Sequence, residues 1–200
     1  MRSSFVRPGS IVLLLLVLAS VPARARADDE FNRRGAFVGG GVSYGLSAFQ
    51  GTAGRQDFGD SLGYNLHAGY RLYDFLAVEA VHEYFDDFGA DLGADGDVHV
   101  RTFTGTANVK LLLPLDRFQP YLTGGIGFLF AERSGSAKRL GIDSSDHGAA
   151  FIGRVAGGFD IFVHRNFSIY GEVAYTMPTG GLSDLYDVSV GSGLKYNFNF

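Results

Sequence analysis

The chain closes on YDVSVGSGLKYNFNF, residues 186–200. Tyr186, Val188, Val190, Leu194, Tyr196, Phe198 and Phe200 occupy one set of alternate positions. Asp187, Ser189, Gly191, Gly193, Lys195, Asn197 and Asn199 occupy most of the other. A strict period of two marks a β-strand with one apolar and one polar face. On a free tail this pattern would be an aggregation hazard. In a closed barrel the strand has no free edge. The reading therefore predicts that this last strand pairs with the first.

The same alternation recurs upstream, in segments of about ten residues separated by turns. The first strand sets Ala36, Val38, Val42, Tyr44 and Leu46 against Phe37, Gly39, Gly41, Ser43 and Gly45. The second sets Tyr64, Leu66, Ala68 and Tyr70 against Asn65, His67, Gly69 and Arg71. The third sets Val78, Ala80 and Tyr84 against Glu79, Val81 and Glu83. The fourth sets Phe103, Ala107, Val109 and Leu111 against Thr102, Thr104, Thr106, Asn108 and Lys110. The next three follow as Leu122–Phe130, Arg154–Ile161 and Ile169–Met177, making eight strands with the last. Short connections fall near Tyr73–Phe75, Pro114–Pro120 and Val163–Asn166. Long polar ones span about Ser47–Leu62, Phe85–Gly96, Glu132–Gly148 and Pro178–Asp184. Short turns at one end and long loops at the other is the layout of an outer-membrane barrel, with both termini at the short-turn end.

Residues 1–27 stand apart. Arg2 and Arg7 form a basic start, Ile11 to Ala19 an apolar run, and Ala-x-Ala occurs at Ala23/Ala25 and Ala25/Ala27. That order is a secretory signal peptide, with cleavage expected after Ala27. The apolar run falls well short of the roughly 20 residues of a spanning helix. The expected mature domain is 28–200. The leader removes Arg2, Arg7, Arg24 and Arg26 and no acid, so the mature chain is more acidic than the precursor's net −4. An acidic chain lacks the basic footprint of a nucleic-acid binder. With no cysteine, the fold rests on packing and hydrogen bonds rather than disulfides.

Period two does not say which face is inside. A lipocalin-type barrel is apolar within; a membrane barrel is apolar without. Three features favour the membrane barrel. The polar face carries Arg71, Lys110, Arg154 and Lys195 against Glu79, Glu83, Asp160, Glu172 and Asp187, near the balance a closed interior requires. Its other members are largely Gly, Ala, Ser, Thr and Asn, which leave room for long side chains in a narrow eight-stranded lumen. The aromatic residues of the apolar face gather near strand ends, as interfacial girdles do.

With these features in place, the chain resembles the small eight-stranded outer-membrane barrels of Gram-negative bacteria: the OmpA-type transmembrane domain, opacity-type and OmpW-like proteins. QPYLTGGIGF (119–128) is similar to the fifth strand of that group. FLAVEAVHEYF (75–85) and FSIYGEVAYT (167–176) are similar to its strands with an inward glutamate. GLKYNFNF (193–200) is similar to its closing strand. The resemblance covers nearly all of 35–200. It implies an all-β, up-and-down barrel in the outer membrane. It also implies that Tyr196, Phe198 and Phe200 are read by the outer-membrane assembly machinery.

The expected function is a barrel with a plugged polar interior, serving as a structural or surface-interaction component of the envelope. Arg71, Glu79, Glu83, Lys110, Arg154 and Glu172 are the expected interior network. The alternative is a narrow porin-like passage for ions or small solutes. Lipid A acyl-modifying enzymes share this barrel size, but the His-x-Ser pair of the deacylase kind is absent: His67, His82, His99, His147 and His164 are followed two residues on by Gly, Tyr, Arg, Ala and Asn. No catalytic residue, cofactor or metal ligand is assigned. His99 and Arg101 at the extracellular rim, and Arg133, Lys138 and Arg139 in the third long loop, are placed to meet lipopolysaccharide phosphates. Expected partners are outer-membrane lipid and lipopolysaccharide, the assembly machinery, and a host or surface ligand met by the loops.

Overall fold

Each alternating segment has one face to bury and one to expose, and eight of them can do both by closing on themselves. A computed structural model describes residue 31 and residues 34–47, 61–86, 90–91, 97–135, 146–179 and 187–198. Side chains at 47, 90–91, 97–100, 132–135 and 146–147 lie outside that description. The wall strands are β1 (Gly35–Ser47), β2 (Ser61–Tyr73), β3 (Leu76–Asp86), β4 (Asp97–Leu112), β5 (Phe118–Gly135), β6 (Asp146–His164), β7 (Phe167–Pro178) and β8 (Asp187–Asn197). A two-residue strand, Ala90–Asp91, adds to the outer end of β4.

Every strand pairs antiparallel with its sequence neighbour, and β8 pairs with β1 to close an eight-stranded barrel. The closing seam runs from Phe37↔Asn197 to Ser47↔Asp187. The Phe198 amide continues the ladder by donating to the Ala36 carbonyl at 2.8 Å. Gly41 and Gly193 face each other across the seam. A Cβ on Gly41 would lie 2.0 Å from the Ser192 carbonyl oxygen, so the strands meet there only because both residues lack one.

The short connections are tight. Register shifts fall at Arg71/Tyr73 and Phe162/His164, beside two of them. In the third, Asp116 takes the left-handed conformation (φ 54°) tolerated by Asp, and the Phe118 amide donates to the Leu115 carbonyl at 3.1 Å.

Strand ends differ from the sequence reading on the long-loop side. The alternating apolar pattern stops near Phe103, Phe130 and Arg154. The backbone ladder continues beyond it, from Val98↔Gly135 and Arg133↔Asp146 inward. Arg133 therefore sits in β5 rather than in a loop. Hydrophobic periodicity reports contact with lipid or core, whereas hydrogen-bonded pairing can outlast it.

The faces sort inside-out relative to a soluble protein. Lys110 and Arg154 are each 1% exposed, while Leu194 on the other face is 57% exposed. The outward band carries Val42, Leu66, Val109, Ile126 and Val155. Aromatic pairs flank it. Tyr64–Tyr84 (5.3 Å) and Tyr84–Phe103 (4.7 Å) lie at the long-loop side. Phe167–Tyr196 (4.9 Å) and Tyr196–Phe198 (4.8 Å) lie at the short-turn side.

Candidate functional site

The inward face builds a polar column in three levels. At the short-turn mouth, Arg71 donates to Gln119 Oε1 at 2.9 Å, to the Phe31 carbonyl at 3.4 Å and to the Asp74 carbonyl. Gln119 Nε2 donates to the carbonyls of Phe31 (3.2 Å) and Asp116 (2.9 Å). Phe31 is buried against Phe162, ring centroids 5.8 Å apart, with the Arg117 guanidinium 5.1 Å from its ring. A residue N-terminal to the first strand thus seats in the mouth of the barrel.

The middle level is centred on Asp160 of β6. Lys110 Nζ (β4) donates to its Oδ2 at 3.0 Å, and Lys195 Nζ (β8) to its Oδ1 at 2.9 Å. Glu79 Oε2 stands 4.0 Å from Lys110 Nζ and 3.8 Å from His67 Nδ1. Both ammonium groups lie over tyrosine rings: Lys110 is 3.4 Å from the Tyr121 centroid and Lys195 is 4.4 Å from that of Tyr170. Between this level and Arg71 a space of ≈20 Å³ remains, room for about one water.

The upper level is centred on Arg154 of β6. Its Nε donates to Glu83 Oε2 (3.2 Å, β3) and its Nη2 to Glu172 Oε1 (2.6 Å, β7). Tyr121 donates to Glu172 Oε2 at 3.0 Å, and Ser189 to Glu83 Oε1 at 3.3 Å. Asn65 accepts from the Tyr170 hydroxyl and donates to Ser43 at 2.6 Å.

These bonds need the small inward residues. A Cβ on Gly39 would lie 2.5 Å from Lys195 Cγ, and one on Gly158 2.7 Å from the Tyr121 hydroxyl. In both places a long polar side chain occupies the space that a facing glycine leaves open.

The geometry is thus an apolar outer band, two aromatic belts, and a charged interior with each carboxylate at its centre held by cations from other strands. The profile of the outer membrane protein beta-barrel domain matches residues 11–198. The chain belongs to the outer-membrane β-barrel family. As a member of that family it resides in the Gram-negative outer membrane; in such barrels the short turns lie at the periplasmic end.

Solved structures share the outer-membrane barrel fold. OprG of Pseudomonas aeruginosa aligns at TM-score 0.63 and 17% identity, covering 86% of this chain and 99% of that one. Ail, the attachment invasion locus protein of Yersinia pestis, aligns at TM-score 0.59 and 18% identity, covering 83% and 99%. Neisserial surface protein A aligns at TM-score 0.59 and 14% identity, covering 82% and 97%. No curated protein matches this chain.

All six residues assigned to the interior network are buried on the inward face of this outer-membrane barrel. Arg154, Glu83 and Glu172 meet directly, Lys110 reaches Glu79, and Arg71 stands apart at the periplasmic mouth. Sequence reasoning set Asp160 and Lys195 on the polar face but left them out of the network, and it assigned no role to Tyr121, Tyr170, Gln119 or Phe31. Parity places the tyrosines inside. Only closure of the wall brings residue 121 to residue 172.

Of the residues assigned to lipid phosphates, Arg133 pairs through its backbone with Val100, between His99 and Arg101. Arg101 is on the outer end of β4, pairing with Asp86 at 3.1 Å. His99 and Arg133 lie in strand, on β4 and β5. Lys138 and Arg139 are outside the described residues, as are residues 1–30 with the leader, and Phe200. No three His, Asp or Glu side chains among the described residues group as a metal site.

Proposed function

We propose that the protein is a plugged barrel that serves the outer membrane as a structural and surface-contact component rather than as a pore. The carrying observation is the Lys110–Asp160–Lys195 bridge. It joins β4 to β8, which stand on opposite walls of the eight-stranded barrel. Any continuous water file past that level has to break a pair of charge-assisted bonds in a low-dielectric interior, where a lost partner is costly. The Arg154 bridges and the seated Phe31 close the levels above and below.

The long polar connections of the sequence are the segments we assign to surface contact, and the sequence carries no His-x-Ser pair of the deacylase kind. Single-channel recording on the refolded mature chain tests the plug. The expected trace shows no stable open state; a large, long-lived conductance would establish the porin-like alternative. Asp160→Ala, which removes the shared carboxylate, is expected to raise the frequency of conducting events.

A further inference from the structure

His82 is an ionisable side chain set among the apolar residues that face lipid. His82 of β3 lies on the apolar face, one strand pair inward of the Tyr64–Tyr84–Phe103 aromatic row, about 5 Å deeper in the membrane. Its ring sits between those of Tyr64 (6.0 Å) and Phe103 (6.1 Å). An ionisable group at membrane depth on the lipid side is rare, because the hydrocarbon offers it no partner.

The tautomer follows from its one bond. His82 Nδ1 lies 2.9 Å from the Thr104 carbonyl oxygen. A carbonyl only accepts, so Nδ1 carries the proton. In the neutral ring Nε2 is then an acceptor. No protein group among the described residues fills it.

The wall beside it is hollow. Leu66, Ala68, Ala80, His82, Gly105 and Ala107 line an outward groove of ≈370 Å³, within the range of about 300–1,000 Å³ seen for small-molecule sites. At Gly105 a Cβ would meet nothing within 4 Å. Above the aromatic row, Arg101 extends the same outward column of β4. Its Nε is held by Asp86 at 3.1 Å, and the side chain is 56% exposed.

We propose that this column is a binding site for one phosphorylated outer-leaflet lipid whose acyl chain bears a hydroxyl group. The terminal nitrogens of Arg101 meet the phosphate, where a charge-assisted bond is strongest. The chain runs past the aromatic row into the groove, and its hydroxyl donates to His82 Nε2. The surface already belongs to the lipid-facing band, so a lipid is its natural occupant. Both poles are matched: a cation at headgroup level, and an acceptor at the depth where a hydroxylated chain brings a donor. The site lies outside the wall and does not depend on whether the interior is plugged.

The test uses the mature chain folded in detergent, with folding of every variant checked by heat-modifiable gel mobility and bound lipid counted by native mass spectrometry. The probes are lipid A with hydroxyacyl chains and a synthetic analogue with the same phosphates and chains but no acyl hydroxyl. Wild type should retain one lipid A and bind it about three- to tenfold more tightly than the analogue, the worth of one hydrogen bond. His82→Leu should erase that preference, and His82→Gln, which restores an acceptor, should recover some of it. Gly105→Leu, whose added atoms point into open space, should weaken both lipids without affecting folding. Arg101→Gln should weaken both while keeping the preference. Equal lipid A binding by wild type, His82→Leu and Gly105→Leu would overturn the site. Equal binding of the two lipids by wild type would overturn the hydroxyl contact on which it rests.

Discussion

Lys110 and Lys195 stand on opposite walls of the barrel and share one carboxylate, Asp160, at 3.0 and 2.9 Å. Two buried ammonium groups that close together repel unless an anion lies between them, so Asp160 makes their approach possible. Asp160→Asn should destabilise the barrel by about 3–5 kcal/mol, the cost of leaving buried charge without its partner. Urea unfolding in lipid vesicles, followed by heat-modifiable mobility, measures it. Removing the four charges of this level together, as Asp160→Leu and Glu79→Gln with Lys110→Met and Lys195→Met, should recover most of the loss, because no buried charge is then left without its partner.

The upper level should behave as a coupled unit. Arg154 links Glu83 to Glu172, so Arg154→Gln and Glu172→Gln remove the same interaction. A double-mutant cycle is expected to show a coupling of about 0.5–3 kcal/mol. Additive effects would mean that the two side chains act separately in the folded barrel.

Phe31 should control access to the periplasmic mouth. The chain has no cysteine, so a single Leu112→Cys reports accessibility without background. Leu112 lines the space beneath the Lys110 level. In combination with Phe31→Ala, that thiol should react several times faster with a membrane-impermeant maleimide than it does with Phe31 in place.

Two glycines should give opposite results. Gly41→Ala forces a Cβ into the β8 backbone at the closing seam and should lower the folded fraction sharply on refolding into vesicles. Gly105→Ala adds its methyl to open space and should fold as wild type does. Equal losses would mean that glycine acts through chain entropy and not through space at the seam.

The closing aromatics carry a separate expectation. Tyr196 and Phe198 pack edge to face at 4.8 Å at the periplasmic belt. If they and Phe200 are read by the assembly machinery, deleting Phe200 should slow insertion into vesicles bearing that machinery. Spontaneous refolding into bare vesicles should change little. An unchanged assisted rate would remove the signal.

Much of this was legible in the alternation. YDVSVGSGLKYNFNF placed Lys195 on one face and Leu194 on the other, and the eight segments placed every interior charge on the correct parity. The outer ends of β4, β5 and β6 were not legible, because residues there leave the lipid while their backbones keep pairing. The partners were not legible either. Lys110 and Asp160 are 50 residues apart, and Tyr170 and Asn65 are 105 apart. Periodicity assigns a side chain to a face and says nothing of which side chain it meets across the lumen.

The sequence by itself determined the strand count, the two faces and the near balance of charge, because these follow from residue type at period two. The tertiary structure decided which cation holds which carboxylate, that Phe31 seats in the mouth, and that His82 looks out at lipid beside a hollow. Those depend on the register and shear of a closed wall, which set how far one strand lies from another and which no local pattern encodes.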